Sequence, residues 1–284
     1  MPELPEVETV RRDLCTSVCG ARVTRVSVLC EPMLVGCDRE RIAESLTGST
    51  LDGISRRGKV LLLRFSTGYS LVVHFRMTGQ LYPVAADSDL PTHTRTVFEL
   101  DDGRRLIHVD VRRLGTVELV ATEQESQART LQGIGPDALD TALRPAELEA
   151  LLRQRRCPIK VFLLAQEYWS GIGNIYASEI LAAARIDPRT PCRELTSGQV
   201  QGLLRAVKRV LAAAVEARGT TISDYRTGTG EAGRFQSKLR VYGKEGRRCD
   251  RRGCPGTIRR IVQAQRSTFY CPECQGEGEV PDVT

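Results

Sequence analysis

The sequence predicts an α+β protein of several domains: a β-rich N-terminal part opened by one helix, a helical middle, and a cysteine-bearing hairpin at the C-terminus. Three observations carry this. Apolar residues recur every three to four positions near the start and again after residue 145; short β-branched runs fill residues 22–120; and four of the ten cysteines crowd together after residue 248.

Val7, Val10, Leu14 and Val18 share one helical face over residues 6–18, and Gly20 stops that helix. The pattern then switches to VTRVSV, KVLLLRF, YSLVVHF, TVFELDDGRRLIHV and GTVELV, runs that suit strands. Ser66-Thr67-Gly68 and Asp101-Asp102-Gly103 supply turns, so hairpins and a β-sandwich are expected. Gly133, Gly135 and Pro136 mark a domain boundary within residues 131–143. Helices follow. Pro145 and Pro158 suit first helical positions, Leu148, Leu151 and Leu152 form a stripe, and a longer helix runs over residues 197–217 until Gly219 ends it. Beyond Gly228 the chain is glycine-rich and basic as far as the cysteines, and the acidic tail after Cys274 is expected to fray.

With 284 residues and 41% hydrophobic composition, the chain can bury a real core and divide into two or three units. Its net charge is only +6, yet residues 234–266 hold eleven basic side chains against Glu245 and Asp250. Charge packed so densely favours a polyanionic partner over a merely solvated face. No apolar run approaches the ~20 residues of a membrane helix, and MPELPEVE lacks the basic and apolar regions of a secretory signal. A soluble intracellular protein with no membrane partner is expected.

The spacing Cys249-x4-Cys254-x16-Cys271-x2-Cys274 sets two close pairs around a span long enough for a β-hairpin. Four thiolates make a closed tetrahedral site, which predicts one structural Zn2+ and leaves no open position for a catalytic water. The alternative is a chance cluster of buried or oxidised cysteines. The metal would fix a hairpin over residues 257–269 and bring Arg259, Arg260 and Arg266 to one end, a form able to enter a DNA groove. Cys15, Cys19, Cys30, Cys37, Cys157 and Cys192 are accounted for by core packing. Ser170-Gly171-Ile172-Gly173-Asn174 links two helices and opens the second, over residues 175–184. Such a glycine-rich helix start suits a phosphate, although most turns of this kind are only turns.

Five segments, in order along almost the whole chain, give a specific resemblance: MPELPEVETVRR at the start, RRGKVLLL at 56–63, HFRMTG at 74–79, GIGNIYASE at 171–179 and QRSTFYCPEC at 265–274. Together they resemble the formamidopyrimidine-DNA glycosylase family. The resemblance implies a β-sandwich carrying a catalytic N-terminal helix, a helix-two-turn-helix domain and a C-terminal β-hairpin zinc finger, with DNA in the cleft between the main parts. It implies base-excision repair of oxidised purines, 8-oxoguanine and formamidopyrimidines, by a bifunctional glycosylase and abasic-site lyase. Removal of Met1 would expose Pro2 as a secondary amine, partly neutral near pH 7, that attacks the sugar C1′ and forms an iminium leading to β- and δ-elimination. Glu3 matches the general acid/base and Glu6 a supporting carboxylate.

Lys59, which on its own pattern simply reaches solvent, matches a contact to the phosphates beside the lesion. His74, otherwise an ordinary sheet histidine, also matches a phosphate ligand. Lys160, Asn174, Tyr242 and Arg266 match positions that grip the backbone of bent DNA, contacts that position the strand without reading sequence. An extruded base leaves a gap, and Met77, Arg112 and Leu114 match the residues that fill it. The family has Phe at the third of these, commonly Gly where Arg76 stands and Pro where Val111 stands, so preference for the opposite base is open. Residues 220–235 match the loop that closes over an extruded 8-oxoguanine.

The implied division is 1–132 for the catalytic sandwich, 133–227 for the helix-two-turn-helix domain, 228–276 for the loop end and zinc hairpin, and 277–284 for a disordered tail. The expected partner is double-stranded DNA with oxidised bases or abasic sites, bound by a monomer in the cytoplasm, at the nucleoid of a bacterium, without organic cofactor. Two other readings stand beside this one. An endonuclease VIII-like relative acting on oxidised pyrimidines is favoured by Leu114 but opposed by ELPE after Met1, the Met77 wedge and the long loop. A non-catalytic zinc protein that binds DNA fits the basic stretch equally well and differs in having no use for an amine beside Glu3.

Overall fold

In the computed structural model, which describes residues 2–139, 143–222 and 225–276, the chain runs α1 (Leu4–Ser17), β1 (Val23–Val28), β2 (Leu34–Val35), α2 (Arg39–Leu46), β3 (Leu51–Arg57), β4 (Val60–Phe65), β5 (Tyr69–His74), β6 (Gly79–Ala85), β7 (Thr94–Leu100), β8 (Arg104–Asp110) and β9 (Thr116–Ala121). It continues with α3 (Pro145–Arg153), α4 (Ile159–Leu164), α5 (Asn174–Ala184), α6 (Ser197–Glu216), β10 (Arg259–Gln263), β11 (Arg266–Tyr270) and the short α7 (Pro272–Gln275). Each strand run read from the sequence forms a strand, and α1 and α6 are followed by glycines at positive φ, Gly20 and Gly219. Five elements gave no periodic signal, β2 and α7 among them because each is only two to four residues long. The sequence of β3 is largely polar, α2 is short, and β6 carries Pro83, which an edge strand tolerates because one side of its backbone needs no partner.

The residues form two compact units, one reaching from the N-terminus to Gly133 and including Ala214–Gln236, the other taking Ile134–Ala213 and the chain from Ser237 onward. The end of α6 and the loop after it thus pack with the N-terminal unit, a different grouping from the continuous 133–227 drawn from sequence. Contacts made on α1 by the backbone of that loop are the physical reason. The C-terminal tail from residue 277 lies outside the described residues, as do residues 140–142 of the expected boundary and residues 223–224 of the expected closing loop.

In the first unit, a four-stranded sheet (β1-β7-β8-β6) and a five-stranded sheet (β2-β9-β5-β4-β3) share one core, to which Phe98, Leu106, Leu63, Leu71 and Val117 contribute. Val7, Val10 and Leu14 of α1 enter the same core, so the helix is held by its apolar face. The chain crosses between sheets twice at one place. Residues 75–78 lead from β5 to β6, and residues 111–115 lead from β8 back to β9. The registers His74↔Thr116 and Gly79↔Asp110 set both crossings side by side.

In the second unit, α3, α4, α5 and most of α6 bury Leu148, Phe162, Trp169, Ile180 and Leu203. Phe162 stacks on Tyr168 with centroids 5.2 Å apart. The antiparallel β10–β11 hairpin follows, its turn made by Ala264 and Gln265 with φ of 46° and 58°. Two non-glycine residues in the left-handed region make this a tight turn of the type that matches strand twist.

His108 of β8 is only 2% exposed, and neither ring nitrogen has a hydrogen-bond partner among the described residues. Burial pushes its pKa down from 6.5 to about 4. The folded chain therefore refuses a proton that the unfolded chain accepts, so stability present above pH 6.5 is lost as the pH falls toward 4. Between pH 7 and pH 5 the loss is about 2 kcal/mol for this one group. Urea unfolding at both pH values should show that difference shrink in His108→Leu; an unchanged difference would assign the acid sensitivity to other groups.

Candidate active site and metal centre

Pro2 is buried and immediately precedes the cap of α1. Glu3, with extended backbone, is the capping residue, and Glu6 sits three positions on in a capping-box arrangement. Glu6 Oε2 accepts the Glu3 N–H at 2.8 Å, and Glu6 Oε1 accepts the Thr220 N–H at 2.7 Å. The Tyr225 hydroxyl donates to the Glu6 carbonyl at 3.3 Å and to the Arg218 carbonyl at 3.2 Å. Between them Gly219 has a φ of 79°, and a Cβ there would lie 2.9 Å from Glu6 Oε1. Only glycine lets this backbone pass so close. Glu3 and Glu6 are consequently both 1% exposed.

A second set of contacts fixes α1 against β3. Arg56 Nε lies 3.1 Å from Glu8 Oε2, while Arg11 and Arg12 reach Glu8 Oε1 at 2.8 Å and 2.9 Å. Burial alone would raise the Glu8 carboxyl, but the three arginines overcome it and hold it down to about 2. Glu8 therefore stays charged through any working pH, and α1 keeps its place.

Gly58 and Lys59 form the turn between β3 and β4, with Gly58 at positive φ, and Lys59 is buried there. The adjacent Val60 pairs with His74, whose Nδ1 accepts the Arg76 N–H at 2.9 Å. Burial, then the charges of Arg76 and Lys59, push the His74 pKa down to about 4. His74 is thus a neutral ring at neutral pH, and any phosphate contact it makes is a hydrogen bond and not an ion pair.

Met77 and Leu114 are exposed on the two crossings, by 38% and 47%. Asp110, wholly buried between them, was missed by sequence reasoning. Its Oδ1 accepts the Thr78 hydroxyl and the Arg112 N–H (3.1 Å), and its Oδ2 accepts the Gly115 N–H at 2.8 Å. The backbone segments that carry Met77, Arg112 and Leu114 are thereby tied to one carboxylate. The available signal was an aspartate at the end of a strand run, five residues before a glycine.

In the second unit, Lys160 is fully buried in the first turn of α4. Asn174 opens α5, and its side-chain Nδ2 donates to the Ser267 carbonyl of β11 at 2.9 Å, tying helix to hairpin. Arg266 is exposed at the start of β11. Tyr242 packs edge-on against Phe269, with centroids 5.1 Å apart. Glu179 of α5, also missed, is buried and accepts three backbone N–H groups, from Arg240, Val241 and Tyr242, at 2.8, 2.9 and 2.8 Å. It holds the turn that presents Tyr242.

The Sγ atoms of Cys249, Cys254, Cys271 and Cys274 all lie within 4.8 Å of one another, with Cys249–Cys274 and Cys254–Cys271 both at 3.7 Å. Four sulfurs at ~2.3 Å from one tetrahedral ion would stand roughly 3.8 Å apart, so the donor set fits a metal ion. A Cβ at Gly256 would lie 2.7 Å from Cys271 Sγ, which makes glycine necessary beside the thiolates. The cluster could hold a metal with all four positions filled.

Comparison with known proteins agrees with this architecture. The model of the formamidopyrimidine-DNA glycosylase N-terminal domain matches residues 1–117, and that of the H2TH domain matches residues 134–226. The formamidopyrimidine-DNA glycosylase of Symbiobacterium thermophilum is 42% identical over 97% of this chain and 89% of its own length. The structure of Lactococcus lactis Fpg in complex with N7-benzyl-Fapy-dG-containing DNA superposes with a TM-score of 0.90 at 34% identity, covering 97% of this chain and all of that one. The same Lactococcus lactis protein in complex with an oxidised-pyrimidine-containing DNA gives a TM-score of 0.89 at 33% identity over the same shares. No described helix is long and apolar enough to cross a membrane. The chain belongs to the formamidopyrimidine-DNA glycosylase family, enzymes of base-excision repair.

Proposed function

We propose that this chain removes oxidised purines, 8-oxoguanine and formamidopyrimidines, from duplex DNA and then cuts the strand at the abasic site, with the Pro2 amine as nucleophile. The observation that carries this is the position of Pro2 directly before the cap of α1, with Glu3 and Glu6 buried beside it. Once Met1 is removed, the positive end of the helix dipole disfavours the ammonium form, which keeps the amine nucleophilic. The amine attacks C1′, the glycosidic bond breaks and the base leaves with a proton. The C1′–O4′ bond of the sugar then opens, its oxygen taking a proton, and the iminium so formed lets the C3′–O and then the C5′–O bond break by β- and δ-elimination, after which water releases Pro2. Glu3 gives and takes the protons. Glu6, with both oxygens already accepting backbone N–H groups, acts by holding Glu3 and the 219–220 backbone.

Lys59, His74, Lys160, Asn174, Tyr242 and Arg266 contact phosphates, and Met77, Arg112 and Leu114 fill the gap left by the extruded nucleotide. The functional division at 132/133 and 227/228 follows these roles. The four cysteines hold one Zn2+ through thiolates, which shapes the β10–β11 hairpin for DNA and supplies no catalytic water. The protein acts as a monomer in the cytoplasm, at the nucleoid. Oxidised pyrimidines are the second substrate reading, favoured by Leu114 and by the oxidised-pyrimidine complex of the Lactococcus lactis relative.

Glu3→Gln should slow 8-oxoguanine excision by about 100-fold or more while duplex binding persists; equal rates would take Glu3 out of the mechanism. Wild-type protein should cut oxidised-purine duplexes faster than oxidised-pyrimidine ones, and the reverse order would favour the second reading. Cys271→Ala should lose metal and weaken DNA binding with the N-terminal sandwich still folded, and full zinc content in that variant would show the ligand set to be wrong.

A further inference from the structure

We propose that Asp110 is a positioning residue that sets Met77, Arg112 and Leu114 as one rigid wedge. The proposal rests on the gap-filling reading of those three side chains. Its carboxylate is 0% exposed, yet its partners lie on the two crossings: the Thr78 hydroxyl beside Met77, the Arg112 N–H at 3.1 Å and the Gly115 N–H at 2.8 Å. Its own backbone is anchored in addition, by the carbonyl of His93 and by Arg95 Nε at 2.8 Å. Both crossings carry a strained non-glycine residue, Arg76 with a φ of 50° and Arg113 with a φ of 56°. Strain of this kind persists only when neighbouring bonds over-determine the backbone. Side chains ordered before DNA arrives need not be ordered at the cost of binding free energy.

Asp110→Asn keeps the shape but turns one oxygen into an NH2, which must face an N–H or hydroxyl donor on one of the crossings. A duplex lesion needs the wedge, whereas an abasic site in single-stranded DNA leaves no gap to fill. Asp110→Asn should therefore excise 8-oxoguanine from duplex at least about tenfold more slowly, a loss typical of one buried hydrogen bond to a charged group. Cleavage of the single-stranded abasic site should stay within about twofold, since the Pro2 chemistry is untouched. Leu114→Ala should add little in the Asp110→Asn background, because the two act as a unit. Equal losses on both substrates would reduce Asp110 to a stabilising role, and an unchanged duplex rate would overturn the proposal. Inactivity of the wild-type protein on both substrates would instead remove the glycosylase reading beneath it.

In the second unit, Cys157 and Cys192 stand opposite each other beside the antiparallel bridge Pro158↔Pro191. Ile159 N–H donates to the Thr190 carbonyl at 2.8 Å, Cys192 N–H donates to the Cys157 carbonyl at 3.0 Å, and the two Sγ atoms are 3.9 Å apart. Opposite residues in such a hydrogen-bonded pair have Cα atoms about 5.5 Å apart, within the span of a disulfide. We infer that the pair is an oxidation site for hydrogen peroxide. The half-buried Cys157 sulfur takes the peroxide oxygen and water leaves; the Cys192 sulfur then displaces that oxygen as a second water. Two thiols and one peroxide give one disulfide and two waters. The bond would close a loop holding α4 and α5, with Lys160 and Asn174. Peroxide treatment of the zinc-loaded protein, followed by non-reducing peptide mapping, should show the two cysteine peptides joined with loss of two hydrogens, reversibly with dithiothreitol and not in Cys192→Ser. Separate sulfinic acids, or thiols that both remain alkylatable, would overturn the inference.

Discussion

Buried carboxylates that accept backbone N–H groups are the constraint on which the functional surface depends. Glu6 receives Glu3 and Thr220, Asp110 receives Arg112 and Gly115, and Glu179 receives Arg240, Val241 and Tyr242. Each is at most 3% exposed. Hydrogen bonds to a charged acceptor in such surroundings are strong, and leaving a carboxylate there without its donors would be expensive. Loops that would otherwise sample many conformations are thereby held in one.

The carboxylates act on different parts of one task. Glu6 fixes the first turn of α1, where Pro2 and Glu3 stand, and Glu8 with its three arginines keeps that helix on β3. Asp110 joins the two sheet crossings that present Met77, Arg112 and Leu114. Glu179 acts within the second unit, where Asn174 links α5 to the hairpin whose far end the cysteine cluster gathers. The proposed chemistry asks for an amine, an acid and a filled gap; the buried carboxylates fix the backbones that carry the residues proposed for them.

Much of this was legible from residue patterns. Short β-branched runs gave five stretches of strand, the three-to-four spacing of Val7 to Val18 gave α1, and the cysteine spacing gave the four-sulfur cluster. Other features were not, because they depend on long-range partners. β6 hid behind Pro83, and the packing of residues 214–236 with the N-terminal unit follows from one oxygen of Glu6 meeting Thr220. Pro2 and Glu3 were visible only through a family resemblance, since their local pattern is that of any capped helix. Glu179 closes one of the segments that carry that resemblance, yet neither it nor Asp110 was given a role, because a buried acceptor of backbone amides leaves no spacing rule in the sequence. Lys160 gave no sign that it would be fully buried.

The central claim is that the amine of Pro2 is the nucleophile, and borohydride reduction followed by peptide mapping tests it most directly. Met1-free protein reacted with an 8-oxoguanine duplex in borohydride should yield a stable protein–DNA adduct whose mass maps to Pro2, and protein retaining Met1 should yield none. An adduct on a lysine, or equal adduct with Met1 in place, would contradict the account.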